Sequence, residues 1–279
     1  MSSPFPTKRM LGIDFFVGTA AEAVVEISKH GGLVVAPAAP SFIALQDDPD
    51  YRRAIADADL AIADSGWAVL FWRLLRREKL TRISGLALFK ALLDTSDARI
   101  PRNLFFILPS EKAATKTLEF ARACGYPITA DDCYIAPRYQ MSEVGDQTSE
   151  ASLPSRSLGE GWRSAASDSV EDRALLSILE QRKPKHIIIG IGGGMQDKLG
   201  SYLKHQLTYR PAIYCIGAAP GFVTGDQIII PMWADRFYLG WIFRVFAQPR
   251  VYFKRYWKAR IVAQLISRCG EEMPPLIGS

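Results

Sequence analysis

Cysteine and histidine are scarce in this chain, four and three among 279 residues. Cys124, Cys133, Cys215 and Cys269 are scattered, with no Cys-x-x-Cys pair, so the spacing of a disulfide framework is missing. Dispersed thiols fit a reducing compartment, which points to the cytoplasm. His30, His186 and His205 make no metal-like spacing with one another or with the cysteines. Long apolar runs are missing too. No stretch reaches the roughly 18 uninterrupted apolar residues of a spanning helix. The start, MSSPFPTKRM, has no apolar run of the secretory kind. A His-Glu-x-x-His pair, a Walker loop and a Gly-x-Ser-x-Gly elbow are all absent. Acidic residues vanish from one region. From Arg236 to Arg268 there are eight basic side chains and no acidic one, although the whole chain carries only +5.

What is present is a chain with 48% apolar residues, enough for a sizeable core. Short β-rich apolar runs at 11–17, 33–36, 60–63, 103–108, 186–190 and 212–216 alternate with amphipathic stretches. The latter lie at 20–30, 50–58, 66–76, 86–93, 111–124, 170–181 and 196–206. Several of the strand runs are apolar without alternation, as in strands covered on both faces. The pattern predicts an α/β fold: a mostly parallel open sheet of Rossmann-like type with helices on both faces. Residues 140–169 break it, being rich in Ser, Glu, Gly and Asp, and read as a long exposed, mobile insert. The expected organisation is an α/β domain over 1–230 and a basic, aromatic, helical appendage over 231–279. The sheet would be complete by Ile216, so little of the core should depend on residues after Pro249.

Four constellations could carry chemistry. Asp64 ends the run Leu60-Ala61-Ile62-Ala63 and precedes Ser65-Gly66. A carboxylate at the carboxyl edge of a parallel sheet can act as a general base; it can equally cap the helix that follows. Gly190, Gly192, Gly193 and Gly194 follow the run at 186–190 and open a helix near Gln196. Such a loop lets backbone N–H groups approach an anion, or it is only a tight turn. It is not the dinucleotide fingerprint, whose third glycine would fall at Met195. Gly217 lies in a third small-residue turn after a strand, closing the same pocket or serving as a plain turn. Asp57 and Asp59 form an Asp-x-Asp, but before their strand, at the wrong edge for a metal site. The fourth constellation is the tail. Phe253, Tyr256, Trp257, Ile261 and Leu265 share a helical stripe flanked by basic residues. It suits a membrane surface, a helix packed on the domain, or nucleic acid, though no nucleic-acid motif accompanies it.

Taken together, these pieces resemble the WecG/TagA/CpsF glycosyltransferase family, from about Gly12 to Tyr256 with the insert skipped. The carriers are residues 34–37 (VVAP), 58–66 (ADLAIADSG), 82–85 (RISG), 190–197 (GIGGGMQD) and 216–219 (IGAA). Late in the chain come 231–233 (PMW), 240–244 (GWIFR), 248–250 (QPR) and 255–256 (RY). The resemblance implies an inverting transferase acting in cell-surface polysaccharide assembly. It would move a sugar, of N-acetylmannosamine or related type, from a UDP-sugar to an undecaprenyl-diphosphate-linked acceptor. It implies a peripheral location on the cytoplasmic face of the membrane, no obligatory metal and no nucleic-acid partner; a homo-oligomer is compatible with it. By the same resemblance Asp64 matches the base. Gly190, Gly192, Gly193, Gly194, Gln196, Asp197 and Gly217 match the nucleotide side. Arg244, Arg250, Lys254 and Arg255 fall to the acceptor diphosphate and the membrane.

The sequence also departs from the family. Small residues stand where the family carries polar ones: Ala36, Ala38, Ala87, Gly221 and Gly240. A second reading follows: a member that keeps fold and tail as a nucleotide- or lipid-binding scaffold without turnover. A third, an unrelated nucleotide-binding oxidoreductase, is disfavoured by the incomplete fingerprint.

Overall fold

The computed structural model describes residues 5–137, 139, 170–217, 219–223 and 260–277. The expected insert, the tail residues 231–259 and with them Arg244, Arg250, Lys254 and Arg255 lie outside the described residues.

The chain opens with a hairpin, β1 (Thr7–Met10) and β2 (Ile13–Phe16). Then α1 (Ala20–His30) leads to β3 (Gly32–Val35), α2 (Ala39–Asp47) and α3 (Pro49–Ala56) to β4 (Leu60–Ala61), and α4 (Gly66–Arg76) and α5 (Gly85–Leu93) to β5 (Leu104–Leu108). α6 (Glu111–Cys124), β6 (Cys133–Ile135), α7 (Arg173–Arg182), β7 (His186–Ile189), α8 (Met195–Gln206), β8 (Ala212–Cys215) and α9 (Ala219–Val223) follow. The strands form one sheet in the order β1-β2-β4-β3-β8-β7-β5-β6, parallel except for the β1–β2 pair. Every residue of β3, β5, β7 and β8 is buried, which explains why these strands read as unbroken apolar runs.

Two apolar layers cover the sheet. One holds side chains of α2, α3, α4, α7, α8 and the helical residues 260–269; the other holds α1, α5, α6 and α9. β3 is thus followed by a helix on one face, and its neighbour β8 by a helix on the other. Adjacent strands that send their chains to opposite faces leave a crevice beyond their carboxyl ends. Gly200 lets α8 approach that pair of strands closely. A Cβ there would sit 2.6 Å from both Cys215 Sγ and Leu33 Cδ1. Gly200→Val should therefore destabilise the fold by about 1–3 kcal/mol, overpacking outweighing the helix-propensity gain. Urea unfolding would measure it.

Two expectations are corrected. The first strand run begins as a hairpin turn, not as a strand. Leu11 (φ 51) and Gly12 (φ 77) both adopt left-handed backbone, which suits the twist of a two-residue turn. The second correction concerns the C-terminus. Val262, Leu265 and Ile266 are buried in the main core. Leu11 N and Gly12 N donate to Gly270 O (2.9 Å) and Glu271 O (2.8 Å), and Ile277 N donates to Gln46 O (2.9 Å). The residues after Pro249 that the structure describes are part of the fold, because they cover the apolar side of the sheet beside Trp72 and pin the hairpin turn. Leu265, at the end of the tail's stripe, faces this core.

Candidate active site

Ile62 N donates to Val35 O (2.9 Å), carrying the extension of β4 towards Asp64 at the carboxyl edge. The helix that follows, α4, is capped by Ser65, whose Oγ accepts the N–H of Ala68 (3.3 Å). Asp64 caps a different helix. Its Oδ1 accepts the N–H of Gly85 (3.0 Å), in the first turn of α5 and 21 residues away. Arg82 Nε donates to Asp64 O (3.0 Å) and fixes the turn. The positive end of α5 therefore faces the carboxylate and favours its charge.

Gly85 links this residue to the neighbouring turn. A Cβ on it would lie 3.2 Å from Ile216 O and 3.6 Å from Ala219 Cβ, so α5 starts against the end of β8. Gly190 in turn abuts Gly217 O, 3.2 Å from where its Cβ would be, and Gly217 abuts the Gln196 amide in the same way at 3.6 and 3.8 Å. The structure thus brings Asp64, Gly190, Gln196 and Gly217 to one edge, around the crevice between β3 and β8. β4 and β8 are separated by β3 alone, about 10 Å at ordinary strand spacing. Gly192 (φ 114) and Gly194 (φ 81) hold left-handed backbone with open space around their Cα atoms, leaving the loop accessible to a ligand. Gly193 faces Ser41 Oγ, 3.5 Å from its would-be Cβ.

Beneath the loop the first turn of α8 buries two polar side chains. Gln196 Nε2 donates to Cys215 O (3.3 Å), and the Cys215 thiol donates to Gln196 O (3.1 Å). Asp197 Oδ2 accepts from Gly194 N (3.2 Å). Gln196 Oε1 and Asp197 Oδ1 are buried without a hydrogen-bond partner among the described residues. Burial pushes the Asp197 carboxyl up to about 7, against the Gly194 N–H, which pulls it down. Tyr51, fully buried nearby, has its hydroxyl pushed up by burial and then by Asp197. The sign of the resulting pH dependence is fixed. Between the ordinary carboxyl range and pH 7 the folded state keeps a proton that the unfolded chain has released. Stability is therefore full below about pH 4 and falls as pH rises through 7, by a few kcal/mol. Asp197→Asn should flatten this loss and melt above the native chain at pH 8, with a smaller difference at pH 5, in thermal melts at the two pH values.

The Asp-x-Asp pair lies at the opposite edge and is taken up by cations. Asp57 meets Lys204 (3.2 Å) and His205 (3.0 Å); Asp59 meets Lys204 (3.0 Å) and Arg210 (2.8 Å) and accepts from Leu33 N (2.7 Å). His186 is buried between Asp97 (3.1 Å) and the Tyr214 hydroxyl (3.2 Å), also at the amino edge. Among the described residues no group of three or more His, Cys, Asp or Glu is arranged to hold a metal ion. Two surface clefts lie elsewhere, one between α7 and α8 beside Tyr202, the other beside Cys133 and Arg182. The crevice at Asp64 is defined by strand ends and not by either cleft.

Gly85 and Ser41 carry no sequence signal of a place at this edge. Gly85 stands in the RISG run, but nothing local shows that its N–H reaches a carboxylate 21 residues earlier.

The fold and this edge define a doubly wound α/β protein with a ligand crevice at its topological switch point. The model of the glycosyl transferase WecG/TagA/CpsF family matches residues 8–128 and 157–271, and the chain belongs to that family. Membership supports a glycosyltransferase role in cell-surface polysaccharide synthesis. No curated protein gives a significant match. Among the described residues no helix is long and apolar enough to cross a membrane.

Proposed function

We propose that the protein is an inverting glycosyltransferase that moves a sugar from a UDP-sugar to an undecaprenyl-diphosphate-linked acceptor at the cytoplasmic membrane face. The single observation carrying this reading is the convergence of Asp64, Gly190, Gln196 and Gly217 on the switch-point edge. In the proposed step the acceptor hydroxyl oxygen attacks the anomeric carbon opposite the UDP oxygen. The bond from carbon to UDP breaks, its electron pair leaves with UDP, and the hydroxyl proton passes to Asp64. Backbone N–H groups at Gly192 and Gly193 and in the first turn of α8 would hold the departing diphosphate. Gln196 and Asp197 would shape that loop from below. Arg244, Arg250, Lys254 and Arg255 are assigned to the acceptor diphosphate and the membrane. Because residues 260–277 belong to the core, substitution of these four by Gln tests that role better than truncation. The reading assigns no obligatory metal, so transfer should survive EDTA.

The experiment is a transfer assay over several UDP-sugars with a polyprenyl-diphosphate-linked acceptor, together with UDP calorimetry. Sugar transfer supports the reading; absence of both transfer and UDP binding sinks it. A second reading is favoured by Asp64 serving as a cap of α5, alongside Ala36, Ala38, Ala87, Gly221 and Gly240: a scaffold that binds without turnover. UDP binding without transfer is its signature.

A further inference from the structure

α4 carries a face that the other described residues leave exposed. Its buried side consists of Ala68, Val69 and Trp72. The opposite side, at helical spacing, presents Leu70, Arg73 and Leu74, with Arg77 exposed at the C-cap. Leu74 is 69% exposed, Leu75 44% and Leu70 42%, the densest group of exposed large apolar side chains among the described residues. Trp67, half-buried with its ring 5.3 Å from that of Phe71, borders the face. Arg73, Arg76, Arg77 and Lys79 are exposed around it, and α4 itself has no acidic residue. The nearby carboxylates Glu78 and Glu271 both meet Lys8, at 2.6 and 3.7 Å.

We propose that this face of α4 docks on an anionic bilayer surface, as a membrane contact separate from the basic residues 244–255. The charge on α4 itself is of one sign, which suits an anionic leaflet. The mixture of leucines and tryptophan with arginines is that of a helix lying in a membrane interface, apolar groups inserted and guanidinium groups among the headgroups. The apolar exposure of Leu74 costs the free protein nothing specific, but it becomes favourable once the side chain leaves water.

The test is co-sedimentation of the full-length chain with phosphatidylcholine vesicles, with and without phosphatidylglycerol. Two variants accompany it, Arg73→Gln/Arg77→Gln and Leu70→Ser/Leu74→Ser, with thermal melts and sedimentation velocity for each. At about fivefold per charge, the arginine variant should bind anionic vesicles about 25-fold more weakly and neutral vesicles unchanged. The leucine variant should lose the part of binding that survives high salt. Melting temperatures should not move, since all four side chains are exposed. Wild-type binding by both variants overturns the proposal. So does a lowered melting temperature, which would make these side chains structural. A wild-type dimer that becomes monomeric in the variants with vesicle binding intact overturns it in favour of a second copy of the chain. No sugar donor or acceptor is present, so an inactive protein would still show the binding, and failure here leaves the transferase reading untouched.

Discussion

Asp64→Asn should lower sugar transfer by about 10²–10⁴-fold, the usual contribution of a positioned base, while UDP affinity changes little. The geometry makes this substitution informative. Asp64 Oδ1 accepts the N–H of Gly85, and an asparagine Oδ1 accepts the same bond. The start of α5, the backbone O that receives Arg82 and the packing of Gly85 on Ile216 all persist. What disappears is the capacity to take a proton. Asp64→Ala removes the bond to Gly85 as well, leaving the Ser84 cap of α5 in place, and should add a stability loss of about 1 kcal/mol. The two variants therefore separate turnover from scaffolding. UDP calorimetry and single-turnover transfer on both decide the matter. An Asn variant that transfers at the native rate would show that Asp64 is only a cap.

The sequence displayed the sheet well because burial on both faces leaves a plain signature. The β5 and β8 runs are apolar throughout and β7 is apolar after His186, so they stand out without any tertiary knowledge. β1 was less legible. Three of its residues, Thr7, Lys8 and Arg9, are polar, and its turn at Leu11-Gly12 lacks the usual Asn-Gly signal. The reason lies 260 residues away: the N–H groups of Leu11 and Gly12 are held by the carbonyls of Gly270 and Glu271. α2 was missed for a related cause. It has no side-chain cap, and only Phe42 and Leu45 among its large apolar side chains are fully buried.

The site divides in the same way. Asp64 and the glycine loop were readable because each follows an apolar strand. Their mutual arrangement was not, since strand order decides it. β3 lies between β4 and β8, and only the sheet reveals that Gly85 bridges the two turns. Asp197 illustrates a further limit. From sequence it is an acidic residue in the first turn of a helix, where charge is welcome. The structure buries it beneath that turn with one oxygen unpartnered, and the carboxyl moves up to about 7. Its charge then depends on pH across the physiological range. A diphosphate seated above it would favour the neutral form, so UDP affinity should fall as pH rises through 7.

Removing residues 260–279 should abolish cooperative folding. Val262 and Ile266 are 0% exposed and Leu265 5%. Each such side chain is worth about 1.5–3 kcal/mol on burial. The same segment accepts the bonds of Leu11 and Gly12, donates one from Ile277 to Gln46, and receives Arg52 at Pro274 O. Backbone bonds of this kind contribute about 1 kcal/mol each. Met273 also packs on Gly12, with its Cβ 2.4 Å from where a glycine Cβ would stand, leaving no room for any other residue there. The sum is comparable with the whole net stability of a domain, about 5–15 kcal/mol. Single substitutions grade the effect: Leu265→Ala and Ile266→Ala should each cost about 2–5 kcal/mol, Ile261→Ala far less because Ile261 is 36% exposed. Circular dichroism melts of the truncated chain and the three variants measure this. A truncated chain that melts as sharply and as high as the native one would mean that the sheet carries its own core. The basic tail would then be an appendage that can be cut away.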